Sequence, residues 1–349
     1  MREVGAVLWF PGPRPVSAMR VLLVHSVPIG SPGGAEISLR DHLAHAPPGV
    51  TVETVLPDSP VDVDRFDSVI LANLRPAARL SKGSTGSGVK ARARAWLARS
   101  PLRALAFRSE VAWAELWRRR LAGYQGYVIR SERDVHPCAY RDGRCLATEP
   151  VRFVGCSCGN SVRKAFERLY NICDAVHFLS PLHRQAINQL IRIDVPQFEI
   201  APALDFERFR SYVPFEQRKR AALITGDAIR VSPSAECRAR DNGYAVEYVD
   251  YLSIPYGRMP ELLNQYQAVV VDPVMLHAFG RLAVEALACG CRVLASSRVG
   301  AMSWPDPLEA CRQSNRLFWE MVTNVPKEKN PRRFALPGAS RRRAGPKEY

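Results

Sequence analysis

The stretch Tyr266–Gly300, YQAVVVDPVMLHAFGRLAVEALACGCRVLASSRVG, limits the possible folds more than any other part of the chain. A β-branched run, Ala268–Val271, gives way to a loop ending in Phe279–Gly280–Arg281. An amphipathic segment, Leu282–Cys289, follows, then a glycine turn and a second apolar run, Arg292–Ala295. This order reads as strand, loop, helix, tight turn, strand. The same grammar opens at Arg20–Val27 (RVLLVHSV), where an apolar run meets the Gly-rich PIGSPGGAE and then the amphipathic Ala35–Ala44. With further strands at Val50–Leu56 and Asp67–Asn73, the pattern predicts an α/β chain with a parallel, doubly wound sheet.

The rest of the chain is consistent with two such units. Strands are expected at Tyr127–Arg130 and Ala175–Leu179, with helices at Ser161–Tyr170 and Pro181–Ile191. Ile200–Phe209 (IAPALDFERF) reads as a connection into a second α/β unit. That unit has strands Ala221–Thr225 and Ala245–Val249, a helix at Pro260–Tyr266, and the Tyr266–Gly300 segment. A final helix, Pro307–Val322, is rich in large apolar residues. The expected organisation is a non-folded extension (1–18), an N-terminal Rossmann-like domain (19–185), a C-terminal Rossmann-like domain (186–322) and a disordered basic tail (323–349). The second domain is short by a strand–helix unit. Residues 81–88 have flexible-linker chemistry.

At 349 residues the chain has room for two ordinary domains, and 47% hydrophobic with 24% charged residues is a globular balance. No apolar run reaches the length of a membrane span. The apolar stretch Val4–Phe10 contains Gly5 and runs into prolines, which is weak for a secretory signal. The nine cysteines are scattered, which points to a reducing cytoplasm and not to a disulfide framework. A formal net charge of +15 implies an anionic partner: a nucleotide diphosphate, an anionic lipid surface or a nucleic acid. No recognised nucleic-acid module appears, so nucleic acid is not expected among the partners.

The chemistry centres on residues 277–290. An oxygen-rich anion at the start of the helix meets unpaired backbone N–H groups and the positive end of the helix dipole. Gly280 allows close backbone approach, and Arg281 can add charge-assisted hydrogen bonds. Glu285, one turn into the helix, can accept ribose hydroxyls.

The segment HAFGRLAVEALACGCRVLAS resembles the donor-site signature of retaining glycosyltransferases with two Rossmann domains (the GT-B type), and of family 4 in particular. That signature carries two glutamates flanking a Phe-Gly, then Glu-Ala-Met-Ala-x-Gly-x-Pro-Val. The matches are Phe279, Gly280, Glu285, Ala286, Ala288, Gly290 and Val293, while His277 stands in place of the first glutamate. Gly33–Gly34–Ala35–Glu36 is similar to the family's glycine turn after the first strand, and Asp205 and Phe209 match its passage into the second domain. The resemblance implies two domains facing a cleft, a nucleoside-diphosphate sugar as donor, an acceptor hydroxyl and transfer with retention, with no cofactor or obligatory metal. It assigns Glu285 to the ribose, Gly33 and Gly34 to the donor phosphates, and Phe279, Gly280 and Arg281 to the donor site. His277 falls at the sugar and its reacting centre. The family's Gly-Arg and Lys on the diphosphate are missing; Gly226–Asp227 and then Arg230 stand there, with Arg230 as the substitute. Arg133–Asp134 occupies the place of a family His-Asp pair, making Asp134 a candidate acceptor contact and His136 a looser one.

Two constellations lie outside that frame. Cys138, Cys145, Cys156 and Cys158, with His136 beside them, supply enough soft ligands for zinc or an iron–sulfur cluster. Their spacing fits no standard zinc ribbon, and reduced, partly buried thiols are the plainer alternative. Residues 90–120 hold nine Lys/Arg against two Glu, interleaved with Trp96, Trp113 and Trp117. They read either as a solvated helix face over the core or as an interfacial helix on an anionic membrane, which would suit a lipid-linked acceptor at the inner membrane face. A glycosyltransferase-like protein that only binds nucleotide or glycan is the rival to catalysis, and a metal-binding redox or sensor protein is a third reading.

Overall fold

The computed structural model describes residues 18–26, 30, 33–73, 108–138, 160–225, 231–250 and 253–324. Residues 1–17, the 81–88 linker, residues 90–107, Arg230, Cys145, Cys156, Cys158 and everything after 324 lie outside the described residues.

The fold is α/β, with two parallel sheets flanked by helices. In the first unit the order is β1 (Met19–His25), α1 (Gly34–Ala44), β2 (Val50–Val55), β3 (Ser68–Asn73), α2 (Arg108–Arg120), β4 (Tyr127–Ser131), α3 (Asn160–Tyr170), β5 (Ala175–Phe178), α4 (Pro181–Leu190) and β6 (Gln197–Glu199). The second unit runs β7 (Lys219–Thr225), α5 (Ala235–Asp241), β8 (Ala245–Val249), α6 (Met259–Leu263), β9 (Tyr266–Val271), α7 (Arg281–Ala288) and β10 (Arg292–Ala295), and α8 (Pro307–Asn324) closes the described chain.

The six strands of the first sheet lie in the order β2-β1-β3-β4-β5-β6, and the four of the second in the order β10-β9-β7-β8. Every pairing within them is parallel. Chain order reverses beside β1 in one sheet and between β7 and β9 in the other. In open parallel sheets such switch points leave a crevice outside the carboxyl ends of the strands. The loop 272–280 leaves β9 at one of them, and the Gly33–Gly34 turn follows β1 at the other.

Because both faces of a parallel sheet are covered, its strands are apolar throughout. In β1, Leu22 and Val24 face Trp117, Leu121, Phe166 and Leu169. Val21 and Leu23 face Phe318, Trp319, Met321 and Val322 of α8. The last helix, expected inside the second domain, thus returns to the first sheet. There Phe318 stacks on His42 at 4.1 Å and Trp319 donates its indole N–H to the His42 carbonyl at 2.8 Å. The first sheet also extends past residue 185, because Gln197–Glu199 pairs with β5 as a sixth strand. This three-residue edge strand has too little periodicity to be legible in sequence.

Among the histidines buried around this sheet are His42, His177 and His183. Burial depresses all three, and the Arg133 charge adds to it at His42 and His177, taking His177 down to about 3. Their folded values lie below 6.5, so between those limits the unfolded chain binds more protons than the folded one. The stability they leave intact above pH 6.5 is therefore lost as pH falls toward 3. Urea midpoints should drop steeply between pH 7 and pH 4, and His177→Gln should flatten the slope; equal slopes in the two proteins would contradict this account.

Candidate functional site

Helix α7 begins at Gly280, whose φ of 83° is left-handed and favours glycine. A side chain there would also strike Val299, since an added Cβ would lie 2.7 Å from its Cγ1. The loop entering the helix is pinned to the next strand's exit. His277 N–H donates to the Arg298 carbonyl at 2.9 Å, and Gly300 N–H donates to the His277 carbonyl at 3.0 Å. Phe279 is in the core of the second unit and does not line the cleft, so its part is to anchor the loop.

Glu285 is buried on α7. Its Oε1 accepts from the Tyr256 hydroxyl at 2.7 Å and from Arg281 Nε at 2.9 Å. Burial raises its pKa, and the Arg281 charge and the Tyr256 hydrogen bond oppose the rise. Burial and the Glu285 charge both raise the Tyr256 pKa, so this phenol stays a donor. Arg208 lies over the Tyr256 ring at 4.7 Å, and Phe209 packs beside it.

Arg281 joins the two units. One terminal nitrogen donates to Ser38 Oγ at 2.9 Å and to the Ala203 carbonyl at 2.8 Å. The other reaches Tyr256 at 3.0 Å and Asp41 at 3.4 Å. Ser38 and Asp41 belong to α1, Ala203 to the connection, and Tyr256 and Glu285 to the second unit. The guanidinium expected at a ligand anion is therefore occupied by protein oxygens. Gly34 lies directly across, a Cβ there falling 4.0 Å from Arg281 Cδ. The glycine turn after β1 and the start of α7 thus face each other.

The segments that carry His277 and Asp134 are tied together through the start of α4, by way of the Ala278 and Asp134 carbonyls. Ser180 Oγ caps that helix by accepting from His183 N–H at 3.1 Å and donates to the Ala278 carbonyl at 2.7 Å. The His183 ring meets the Asp134 carbonyl at 3.0 Å. Asp134 Oδ1 accepts from Val135 N–H at 2.9 Å, which fixes the half-buried carboxylate. Gly300 packs against the same cap and tolerates no side chain: a Cβ there would lie 2.4 Å from Ser180 Oγ.

Behind Asp134 is a buried polar network. Glu132 takes Arg130 Nη2 at 2.7 Å, Asp134 N–H at 3.0 Å, the Tyr170 hydroxyl and the His136 ring. Arg130 also donates to the carbonyls of Leu71 and Ala72 at the end of β3. His136 therefore serves Glu132. Arg133 gives its Nε–H to Ser131 Oγ at 3.1 Å, while its two terminal nitrogens have no partner among the described residues. Burial brings its pKa down to about 9 against the pull of Glu36.

Of the cysteine loop, Cys138 is described: it is buried in the first core. No group of three or more His, Cys, Asp or Glu among the described residues could hold a metal ion. In the basic stretch, the described part of α2 turns Trp117 into the core, with Trp113 packed against it, as in the solvated-face reading. No helix among the described residues is long and apolar enough to cross a membrane. Asp174–Ser180 resembles the family's serine passage ahead of the second domain, so Ser180 was within a motif, whereas no motif marks Tyr256, Ser38, Asp41 or His183.

No family model and no curated protein matches the sequence. Among solved structures, the chain is similar to Anabaena Alr3699/HepE in complex with UDP and glucose, at 12% identity and TM-score 0.46, covering 89% of this chain and 93% of that one. It is similar also to sucrose-phosphate synthase from Thermosynechococcus elongatus (14% identity, TM-score 0.44, 90% and 94% covered). A third is AviGT4, a glycosyltransferase involved in avilamycin A biosynthesis (14% identity, TM-score 0.37, 90% and 95% covered).

Removing one partner of a buried ion pair leaves the other charge uncompensated, at a cost of about 3 kcal/mol or more. Arg281→Met should therefore lower unfolding stability by about 3 kcal/mol. A loss under about 1 kcal/mol by urea titration would mean that Arg281 is not the joint between the units.

Proposed function

We propose that this chain is a glycosyltransferase of the GT-B arrangement, moving a sugar from a nucleoside-diphosphate donor to an acceptor hydroxyl. The observation that carries this reading is the placement of the left-handed Gly280 and buried Glu285 at a switch-point crevice, directly opposite the Gly33–Gly34 turn. A helix start free of side-chain bulk is a site for phosphate oxygens, and a carboxylate one turn in is a site for ribose hydroxyls.

In this reading the diphosphate lies at the start of α7 with Gly33 and Gly34 closing on it, and Glu285 accepts the ribose hydroxyls. Arg230 is a further diphosphate contact. Arg281 acts from behind, fixing Glu285 and the distance between the two glycine segments. Breaking the anomeric C–O bond puts charge on the departing diphosphate, which the helix start stabilises without reorganisation. His277 and Asp134, on segments joined through Ser180 and His183, orient donor sugar and acceptor. We further propose retention of configuration, a family 4-like relationship, and two domains, the first reaching past residue 185 to take in β6 and the second followed by α8, which docks back on the first sheet. A glycan or lipid-linked acceptor, cytoplasmic placement and peripheral membrane contact through residues 90–120 complete the proposal.

One observation favours a second reading. Oε1 of Glu285 already accepts from Tyr256 and Arg281, so nucleotide must share or displace these bonds. A chain that binds nucleotide or glycan without transfer is compatible with that.

Thermal unfolding with a panel of nucleoside diphosphates and nucleotide sugars tests the proposal. One nucleotide should raise the melting temperature selectively, and Glu285→Ala should abolish the rise. No response from the wild-type protein to any of them would sink the donor-site assignment, while binding without donor turnover would select the second reading.

A further inference from the structure

Among the described residues of the first unit, Arg133 is a buried cation that the proposed donor site does not use. It follows β4 at the carboxyl edge of the sheet, where its Nε–H bonds Ser131 Oγ at 3.1 Å. Both terminal nitrogens are buried without a hydrogen-bond partner among the described residues, and the whole residue is only 6% exposed. Guanidinium is normally buried with a carboxylate, because an uncompensated charge in the interior costs several kcal/mol. Its neighbours do not supply one. Glu132 is taken up by Arg130, Tyr170, His136 and the Asp134 N–H. The imidazoles of His42 and His177, whose titration it depresses, are buried and bonded to Asn315, and to Ser131 and the Ile200 carbonyl, respectively.

Glu36 is the acidic group whose charge acts most on Arg133. It stands in the first turn of α1, and its carboxylate folds back over the glycine turn: a Cβ on Gly33 would lie 2.0 Å from its Oε2. That carboxylate contacts His25 at 3.4 Å and forms no ion pair with Arg133. Arg133 follows β4 and the Gly33–Gly34 turn follows β1, so both stand at the carboxyl edge of the same parallel sheet, on the first unit's side of the cleft. The Glu36 carboxylate sits at the start of α1, where helix geometry favours an anion.

We infer that Arg133 is the receptor for an oxyanion, a carboxylate or phosphate group on the ligand that enters the cleft beside the Gly33–Gly34 turn. The group pairs with Nη1 and Nη2 in the two-pronged manner that suits a planar guanidinium. This rests on the transferase reading and narrows its substrate class to a sugar or acceptor that is itself anionic, or to a donor whose diphosphate reaches the first unit. It also accounts for an arginine kept at a cost to folding: removing it should stabilise the empty protein, as commonly happens where a site is built for a ligand.

The test is calorimetric titration of the full-length wild type, Arg133→Gln and Arg133→Lys with glucuronate, glucose 6-phosphate, inorganic phosphate, uridine diphosphate and neutral glucose. At least one anion should bind the wild type, with affinity at least tenfold weaker in Arg133→Gln and partly retained in Arg133→Lys. Dependence confined to uridine diphosphate assigns the oxyanion to the donor; dependence with glucuronate or glucose 6-phosphate assigns it to the sugar or acceptor. Melting of the ligand-free proteins serves as the second readout, with Arg133→Gln at or above the wild-type temperature. Equal affinities in wild type and Arg133→Gln, no anion bound by the wild type, or a marked loss of stability in ligand-free Arg133→Gln would each overturn the inference. Glu285→Ala separates it from the donor-site reading: it should lose uridine diphosphate and keep glucuronate or glucose 6-phosphate.

Discussion

The arrangement of the two units depends on Arg281. A guanidinium shared among Ser38, Asp41, the Ala203 carbonyl, Tyr256 and Glu285 fixes α1, the connection and α7 relative to one another. It also permits Glu285 to be ionised inside the protein, since a lone buried carboxylate would take up a proton instead. Arg281 itself stays charged because the Glu285, Tyr256 and Asp41 interactions outweigh the burial that would lower its pKa. The return of α8 to the first sheet gives a second tie. Its Phe318 and Trp319 are bound to α1 through His42, while Ser314 donates to the Ala201 carbonyl in the connection. The connection is thus held from both sides, by Arg281 and by α8.

On this frame the cleft is lined by groups that fold at some cost. Gly280 adopts a left-handed conformation against Val299, Glu285 is buried, and the buried terminal nitrogens of Arg133 have no hydrogen-bond partner among the described residues. Such features persist where surrounding packing over-determines them, and they concentrate at sites that bind ligands. Their position at the carboxyl ends of two parallel sheets agrees with where such sheets receive ligands. The shorter second sheet places all of its site residues on the single passage from Tyr256 to Glu285, apart from residues 226–230.

Much of this was legible in the sequence because it obeys local rules. The strands Ala245–Val249 and Arg292–Ala295 coincide with the expected ones, since β-branched runs bounded by turns leave little choice. Gly280 was recognised as a helix start, and its left-handed backbone explains the residue. What escaped was long-range. The bond from Arg281 to Ser38 spans 243 positions and that from Trp319 to His42 spans 277, and no periodicity encodes either. Arg281 therefore read as a free cation beside a phosphate site, when the fold had already occupied it. Phe279 matched a motif at the donor site yet serves the core. The short α5 and β6 carry too few residues for a pattern, and Tyr256 has no motif around it.

A nucleotide bound as proposed, where the start of α7 faces the glycine turn, would shield the backbone of both segments. Hydrogen exchange on the full-length protein, with and without the nucleoside diphosphate that stabilises it, locates that contact directly. The account predicts slowed exchange confined to residues 277–290 and 33–39. Protection centred elsewhere, for example on α2 and α3, with these two segments unchanged, would contradict it.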